Sequence, residues 1–389
     1  MTHLRAAAGG LLLALSLLGA CVPRGPDRLT LAPTRFADLP GWEQDDLGAA
    51  LAAFNRSCAL VLSGKQSPQA PLGPNGIAGT FADWQPPCAA AASLGGADAA
   101  AQRQLFETWF TPYKAGNNGR SEGLFTGYYE PELRGARQPG GVYTTPLLRR
   151  PSDLVMVDLG LFRTAWRGER IAGRVIDGRL KPIESRSEIE RGALDRQGLA
   201  FVWVDDPVDA FFLHIQGSGR IRLPDGSLVQ VGYDGQNGQP YVPIGRLLVE
   251  RGVLDRDSVS MQAIRAWIKA NPEAGAALMA ENPSYVFFRE VQGEGPVGTQ
   301  GVVLTAGRSL AIDRDFVPLG VPVWLDAGDD TGRLERLMVT QDTGGAIRGP
   351  VRGDVFWGFG AEAETRAGAM KARGEYYFLL PKTVTVPLS

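Results

Sequence analysis

The chain of 389 residues is long enough for two domains that each bury a core, and its hydrophobic fraction of 44% is ordinary for a globular protein. Its 42 acidic and 40 basic residues nearly cancel, to a formal net charge of -2, and Lys and Arg are dispersed, so a nucleic-acid or other polyanion partner is disfavoured. Two histidines and three cysteines without a Cys-x-x-Cys spacing leave no multi-histidine metal site, and neither a metal nor an organic cofactor is expected.

In chain order, the first element is a targeting segment. Arg5 supplies a positive charge, residues 11–18 form an apolar core too short to span a membrane, and Leu18-Gly19-Ala20 places small residues before Cys21. This ending resembles a bacterial lipobox, which implies a signal peptide over 1–20, cleavage before Cys21 and lipidation of its thiol. The protein is then expected in the periplasm, held to a membrane by acyl chains. Residues 21–34, rich in Pro and Arg, read as a flexible tether. Cys58 and Cys88 remain as a pair, either disulfide-bonded in an oxidising compartment or buried as free thiols.

Apolar residues at Leu47, Leu51, Phe54 and Cys58 have the spacing of an amphipathic helix over 45–60, and the pattern returns over 98–110. A Pro/Gly-rich connection separates the two. From residue 122 the character changes to short strand-like runs such as 124–129, 200–204 and 211–216, with turn signals at Pro224-Asp225-Gly226 and Asp234-Gly235. A further helix over 260–269 is capped by Ser260 or Asp257. Fifty glycines, many between strand-like runs, suit a mainly β protein with peripheral helices, an α+β arrangement.

The C-terminal third carries the chemistry. Gln341-Asp342-Thr343-Gly344-Gly345 and Arg352-Gly353-Asp354-Val355-Phe356-Trp357-Gly358 place two carboxylates in glycine-flanked, otherwise apolar segments. The Gly344-Gly345 turn lets backbone approach a ligand, and low polarity around Asp354 disfavours its charged form, as a general acid requires. The alternative is that both aspartates merely cap turns. Together with Asp313, these positions resemble the three-aspartate domain of the membrane-bound lytic transglycosylase A family. Phe125-Thr126-Gly127-Tyr128-Tyr129-Glu130-Pro131, Ile215-Gln216-Gly217-Ser218-Gly219 and Ser260-Met261-Gln262 are similar to further motifs of that family, in its order.

The resemblance implies a double-psi β-barrel built from residues 35–131 and 292–389, with the three-aspartate part over 300–382. A second β-rich, substrate-binding domain over 132–291 is inserted into it. It implies a peptidoglycan lytic exotransglycosylase, a carbon–oxygen lyase, although the residues leave exo and endo preference open. Such an enzyme cleaves the β-1,4 bond between N-acetylmuramic acid and N-acetylglucosamine, and the muramic acid's 6-hydroxyl closes a 1,6-anhydro ring. One carboxyl then serves as acid and base, and Asp354 matches that position. Asp342 is expected to support it by orienting groups or by like-charge repulsion, and Asp313 to be structural. Thr126, Gly127, Tyr128 and Tyr129, with Gln216, Gly217, Ser218, Gly219, Gly344 and Gly345, are expected to hold the glycan. Adjacent tyrosines on a strand point to opposite faces, so at most one of Tyr128 and Tyr129 reaches it. The expected partners are peptidoglycan strands and, through the lipid, a membrane, the outer membrane's inner leaflet in a Gram-negative cell. Protein partners, cell-wall synthesis complexes among them, stay open. Two competing readings are a two-carboxylate glycan hydrolase and a non-catalytic peptidoglycan-binding lipoprotein.

Overall fold

The computed structural model describes residues 26–386, apart from 97, 164–165, 167–168, 257–258, 294, 331 and 346. The signal segment, Cys21 and Asp257 lie outside the described residues. The stretch read as a tether becomes ordered chain before residue 34: β1 (Leu29–Pro33) buries Leu31 in the main core. Helix α1 (Gly48–Leu62) buries Ala50, Leu51, Phe54, Ser57 and Cys58 on one face. The Pro/Gly-rich connection contains an unexpected helix, α2 (Phe81–Ser93), despite Pro86 and Pro87 inside it. A Thr80–Asp83 capping box starts it, and burial of Trp84, Cys88 and Ala91 outweighs the two lost backbone donors. Cys88 is disulfide-bonded to Cys58 of α1, with their Cα atoms 5.0 Å apart, so the open cysteine question resolves to a bridge. Asp98 caps α3 (Ala99–Trp109), and β2 (Phe110–Asn117) and β3 (Gly123–Glu130) follow.

After β3 the chain enters a second unit. It contains β4 (Glu132–Ala136), β5 (Thr145–Leu148), β6 (Val155–Asp158), β7 (Arg170–Ile176), β8 (Arg179–Lys181), α4 (Arg186–Glu190) and β9 (Ala200–Val204). It continues with α5 (Pro207–Gln216), β10 (Ser218–Arg222), β11 (Leu228–Gln236), α6 (Ile244–Glu250), α7 (Met261–Ala270), α8 (Pro272–Ala280) and β12 (Val286–Glu290). The strands form a six-stranded sheet in the order β12-β11-β10-β4-β9-β5 and a three-stranded sheet β6-β7-β8. Two local expectations fail here. Residues 211–216 are helical, because Asp206 caps Val208 and Asp209, Pro207 opens the helix, and Val208, Phe211 and Phe212 recur at helical spacing into an apolar cluster. Asp234-Gly235 lies inside β11 as a register shift instead of turning the chain.

The chain then returns with β13 (Ser309–Ile312), β14 (Pro322–Asp329), β15 (Gly332–Thr343), β16 (Arg352–Phe359), α9 (Gly360–Ala369) and β17 (Lys371–Pro381). Six strands close a barrel in the order β3-β17-β14-β15-β13-β16, since β16 pairs back onto β3. The β13–β15 and β16–β3 contacts are parallel and the others antiparallel, the mixed crossing pattern of a double-psi barrel. Closure leaves these strands no free edge, and Phe125, Leu310, Ile312, Leu325, Val339 and Phe378 belong to the shared core. The result is the mainly β, α+β architecture expected from the sequence. Helices α1 to α3 pack outside the barrel through Phe54, Trp84, Phe106 and Phe110, whose ring centroids lie 5.8–6.4 Å apart.

Candidate active site

Strand register builds the site. Ala311 of β13 pairs with Asp342 of β15 on one side and with Asp354 of β16 on the other, and Asp354 pairs with Thr126 of β3. Asp342, Ala311, Asp354 and Thr126 therefore form one row across four neighbouring strands. With strands about 4.8 Å apart, the two aspartate backbones are roughly 10 Å from each other. Val355, the next residue of β16, points into the core, so Asp354 faces outward, as the alternation of a strand requires.

The two carboxylates have different surroundings. Oδ1 of Asp342 accepts from the Thr299 backbone N–H at 2.9 Å, the Thr299 hydroxyl at 3.0 Å and the Thr343 N–H at 2.9 Å, while Oδ2 accepts from the Tyr128 hydroxyl at 2.9 Å. Burial nevertheless pushes the Asp342 carboxyl above its ordinary range, against those four bonds. Burial, with Asp342 and Asp354 both nearby, holds the Tyr128 phenol well above its usual range, so it stays a donor. Asp354 has fewer partners. Its Oδ1 accepts from the Thr126 hydroxyl and from Nη1 of Arg352 at 2.5 Å, and its Oδ2 accepts from none of the described residues. Nη2 of Arg352 also donates to the Thr126 hydroxyl at 2.9 Å.

This corrects the expectation that the immediate surroundings of Asp354 are apolar. Its direct partner is the Arg352 guanidinium, and the side chains of both are largely buried, at 16% and 20% exposed. Arg352 was legible, since residues two apart on a strand share a face. Thr299, which reaches Asp342 from a loop 43 positions upstream, has no local signal.

The remaining candidates divide. Thr126 and Tyr128 join the row, as supports of Asp354 and Asp342; the Tyr128 ring also packs on Phe356, centroids 5.2 Å apart, so it is not a free stacking platform. Gly127 points the other way: a Cβ there would lie 2.7 Å from the Trp357 indole and 2.8 Å from Ala367 Cα, which makes it a packing glycine and not an open approach to a ligand. Tyr129 is buried against Ala363 and Ala367. Gln216 ends α5 and places its amide nitrogen 3.9 Å from Met261 Sδ, Gly217 caps that helix in the left-handed region, Ser218 opens β10, and Gly219 is crowded by Leu213. None of these four bonds Asp342 or Asp354; a helix end replaces the expected open loop. Gly344 and Gly345 follow Asp342 after Thr343, and Gly345 has open space around it. Asp313, directly after β13, is buried, its carboxylate accepting from Asp315 N–H at 3.2 Å and Gly349 N–H at 2.8 Å. Among the described residues no group of three or more His, Cys, Asp or Glu is placed to hold a metal ion.

Fold and site together define a closed-barrel protein that presents two carboxylates, Asp342 and Asp354, from the strands on either side of β13. Residues 124–289 match the family model of the MltA specific insert domain and residues 308–380 that of the 3D domain. The chain is 32% identical to the membrane-bound lytic murein transglycosylase A of Vibrio cholerae over 273 residues, 68% of this chain and 67% of the relative. It is 36% identical to that of Escherichia coli K12 over 266 residues, 66% and 65% of the two chains. A membrane-bound lytic murein transglycosylase from Agrobacterium tumefaciens superposes with a TM-score of 0.79 at 35% identity, over 91% of this chain and 98% of that one. E. coli MltA with bound chitohexaose gives 0.64 at 26% identity, over 93% of each chain. The chain belongs to the membrane-bound lytic murein transglycosylase A family.

Proposed function

We propose that this protein cleaves the β-1,4 bond between N-acetylmuramic acid and N-acetylglucosamine in peptidoglycan and releases a 1,6-anhydro product, with Asp354 as its one acid and base. The observation that carries this reading is the contrast between the carboxylates. Asp342 already accepts four hydrogen bonds, whereas Oδ2 of Asp354 accepts from none of the described residues. A saturated carboxylate is poorly suited to activate water, which favours a reaction whose nucleophile comes from the substrate. Oδ2 of Asp354 gives its proton to the glycosidic oxygen as the bond to the anomeric carbon breaks. Arg352 and Thr126 stabilise the carboxylate that results. The same oxygen then takes the proton of the muramic acid's 6-hydroxyl as that oxygen closes on the anomeric carbon.

In this reading residues 35–131 with 292–389 are the catalytic unit and 132–291 the substrate-binding unit, with the glycan between them. The structure of a relative with bound chitohexaose supports a saccharide ligand. Asp342 with Tyr128 and Thr299 acts as a rigid neighbour that orients the row, and Asp313 fixes the loop before β16. Cys21 carries the lipid in the periplasm. The test is product mass: the full-length protein incubated with purified sacculi should yield anhydro-muropeptides. A hydrated reducing end would instead identify a two-carboxylate hydrolase, and binding without release a non-catalytic wall protein. Transfer of a correctly processed Cys21→Ala protein from the membrane to the soluble fraction tests the anchor.

A further inference from the structure

The face that carries Asp354 continues beyond it. In the parallel β16–β3 pair, Asp354 stands beside Thr126, Phe356 beside Tyr128 and, after a register shift, Phe359 beside Glu130. Thr126, Tyr128 and Glu130 alternate along one strand and so share a face, and cross-strand partners share it with them. From Thr126 to Glu130 this row runs for roughly 13 Å at about 3.3 Å per residue, longer than a single pyranose.

At the far end of the row Phe359 is 53% exposed and belongs to none of the hydrophobic clusters. Its placement is nevertheless fixed. Gly358 and Gly360 on either side both have positive φ, 92° and 84°, and turn β16 into α9 around it. Arg220 of β10 lays its guanidinium over one side of the ring, Cζ 3.6 Å from the centroid. Arg220 is held in turn by Glu130, whose side chain is 1% exposed and accepts from Nε at 2.7 Å. An aromatic ring is thus backed on one side by a charged group from the second unit and stays half exposed at the end of the row. Aromatic faces of this kind bind the apolar faces of sugar rings.

We propose that Phe359, backed by Arg220 and Glu130, is a distal stacking subsite for a ring of a β-1,4-linked N-acetylhexosamine strand, separated from the bond cleaved at Asp354 by at least one further sugar. The inference rests on the glycan-cleaving reading above. It makes the enzyme length-selective: strands that reach Phe359 are held by it, and short ones are not.

The test measures binding of chitobiose and chitohexaose, and turnover of sacculi, for the full-length wild type, Phe359→Ala and Phe359→Trp. Loss of one stacking contact should weaken chitohexaose binding by Phe359→Ala about tenfold and leave chitobiose binding within twofold of wild type. Phe359→Trp should restore the longer ligand, which a merely structural role for the ring would not require. Unchanged chitohexaose affinity in Phe359→Ala overturns the subsite, as does equal weakening for both ligands, and wild-type turnover of sacculi in either case leaves the cleavage reading intact. A wild type that neither binds chitohexaose nor cleaves sacculi overturns that reading and the subsite with it.

Discussion

At the scale of single residues, the row Asp342, Ala311, Asp354 and Thr126 sets a carboxylate that accepts four hydrogen bonds beside one with fewer partners, and the proposed mechanism assigns proton transfer to the second. Asp354→Asn keeps the shape of the carboxyl and cannot pass a proton, so release of anhydro-muropeptides should fall by about 10²- to 10⁴-fold or more, measured by mass spectrometry on a variant shown to be folded. Asp342→Asn keeps an acceptor for Thr299 and Thr343 and should lose much less. Wild-type product levels from Asp354→Asn would end the assignment. Asp342 also makes a pH prediction. Burial raises its folded-state pKa above the unfolded value of about 3.9, so the native protein binds the proton more readily than the unfolded chain. Its contribution therefore stabilises the fold below the unfolded pKa and is lost as pH rises through the folded value. Relative to Asp342→Asn, the wild type should gain stability as pH is lowered from neutral through that window. Paired urea titrations at several pH values measure the difference, and a constant gap would contradict it.

At the scale of elements, β3 shows how one strand serves two sides. Thr126 and Tyr128 support the carboxylates, while Phe125 fills the barrel and Gly127 lets Trp357 and α9 close over the strand. Gly127→Ala should therefore destabilise the protein by about 1–3 kcal/mol, because the added methyl meets an indole and a backbone atom that cannot both yield. Chemical denaturation reads this directly. A neutral result would mean that α9 is free to shift. The helices α7 and α9 also join the two units: Arg265 of α7 lies 3.1 Å from Glu364 of α9 and 3.3 Å from Asp209 of α5. The stretch around Ser260 that resembles a family motif thus sits at this junction, with Ser260 capping α7 through the Ala263 N–H.

At the scale of the whole molecule, the disulfide ties the helices that cover the barrel. Cys58 and Cys88 are 30 residues apart, and closing a loop of that length stabilises a fold by about 3–4 kcal/mol through the entropy of the unfolded chain. Replacing both with alanine should lower stability by that order, and reductant should do the same to the wild type in thermal unfolding. Equal stability with and without the bridge would show that aromatic packing of Phe54, Trp84 and Phe106 suffices.

Sequence alone determined the features whose signals are local or periodic: α1, α3 and α7, the strands over 124–129 and 200–204, and the opposite faces of Tyr128 and Tyr129. Motif order extended that to the family. What only the tertiary structure decided is which groups meet. The helix at 211–216 arises because Asp206, Pro207 and an apolar cluster outweigh a strand-like run of Phe and Leu. The glycine of Thr126-Gly127 turns out to be crowded because α9 packs there, and Gln216 sits at a helix end beside Met261. Arg352, two residues from Asp354, follows from strand alternation, but the other partner of Asp354, Thr126, came from a strand 228 positions earlier, and the partners of Asp342 were Thr299 and Tyr128. Periodicity fixes the face on which a side chain stands, whereas its hydrogen-bond partners depend on which distant segments the fold brings beside it, which no local pattern encodes.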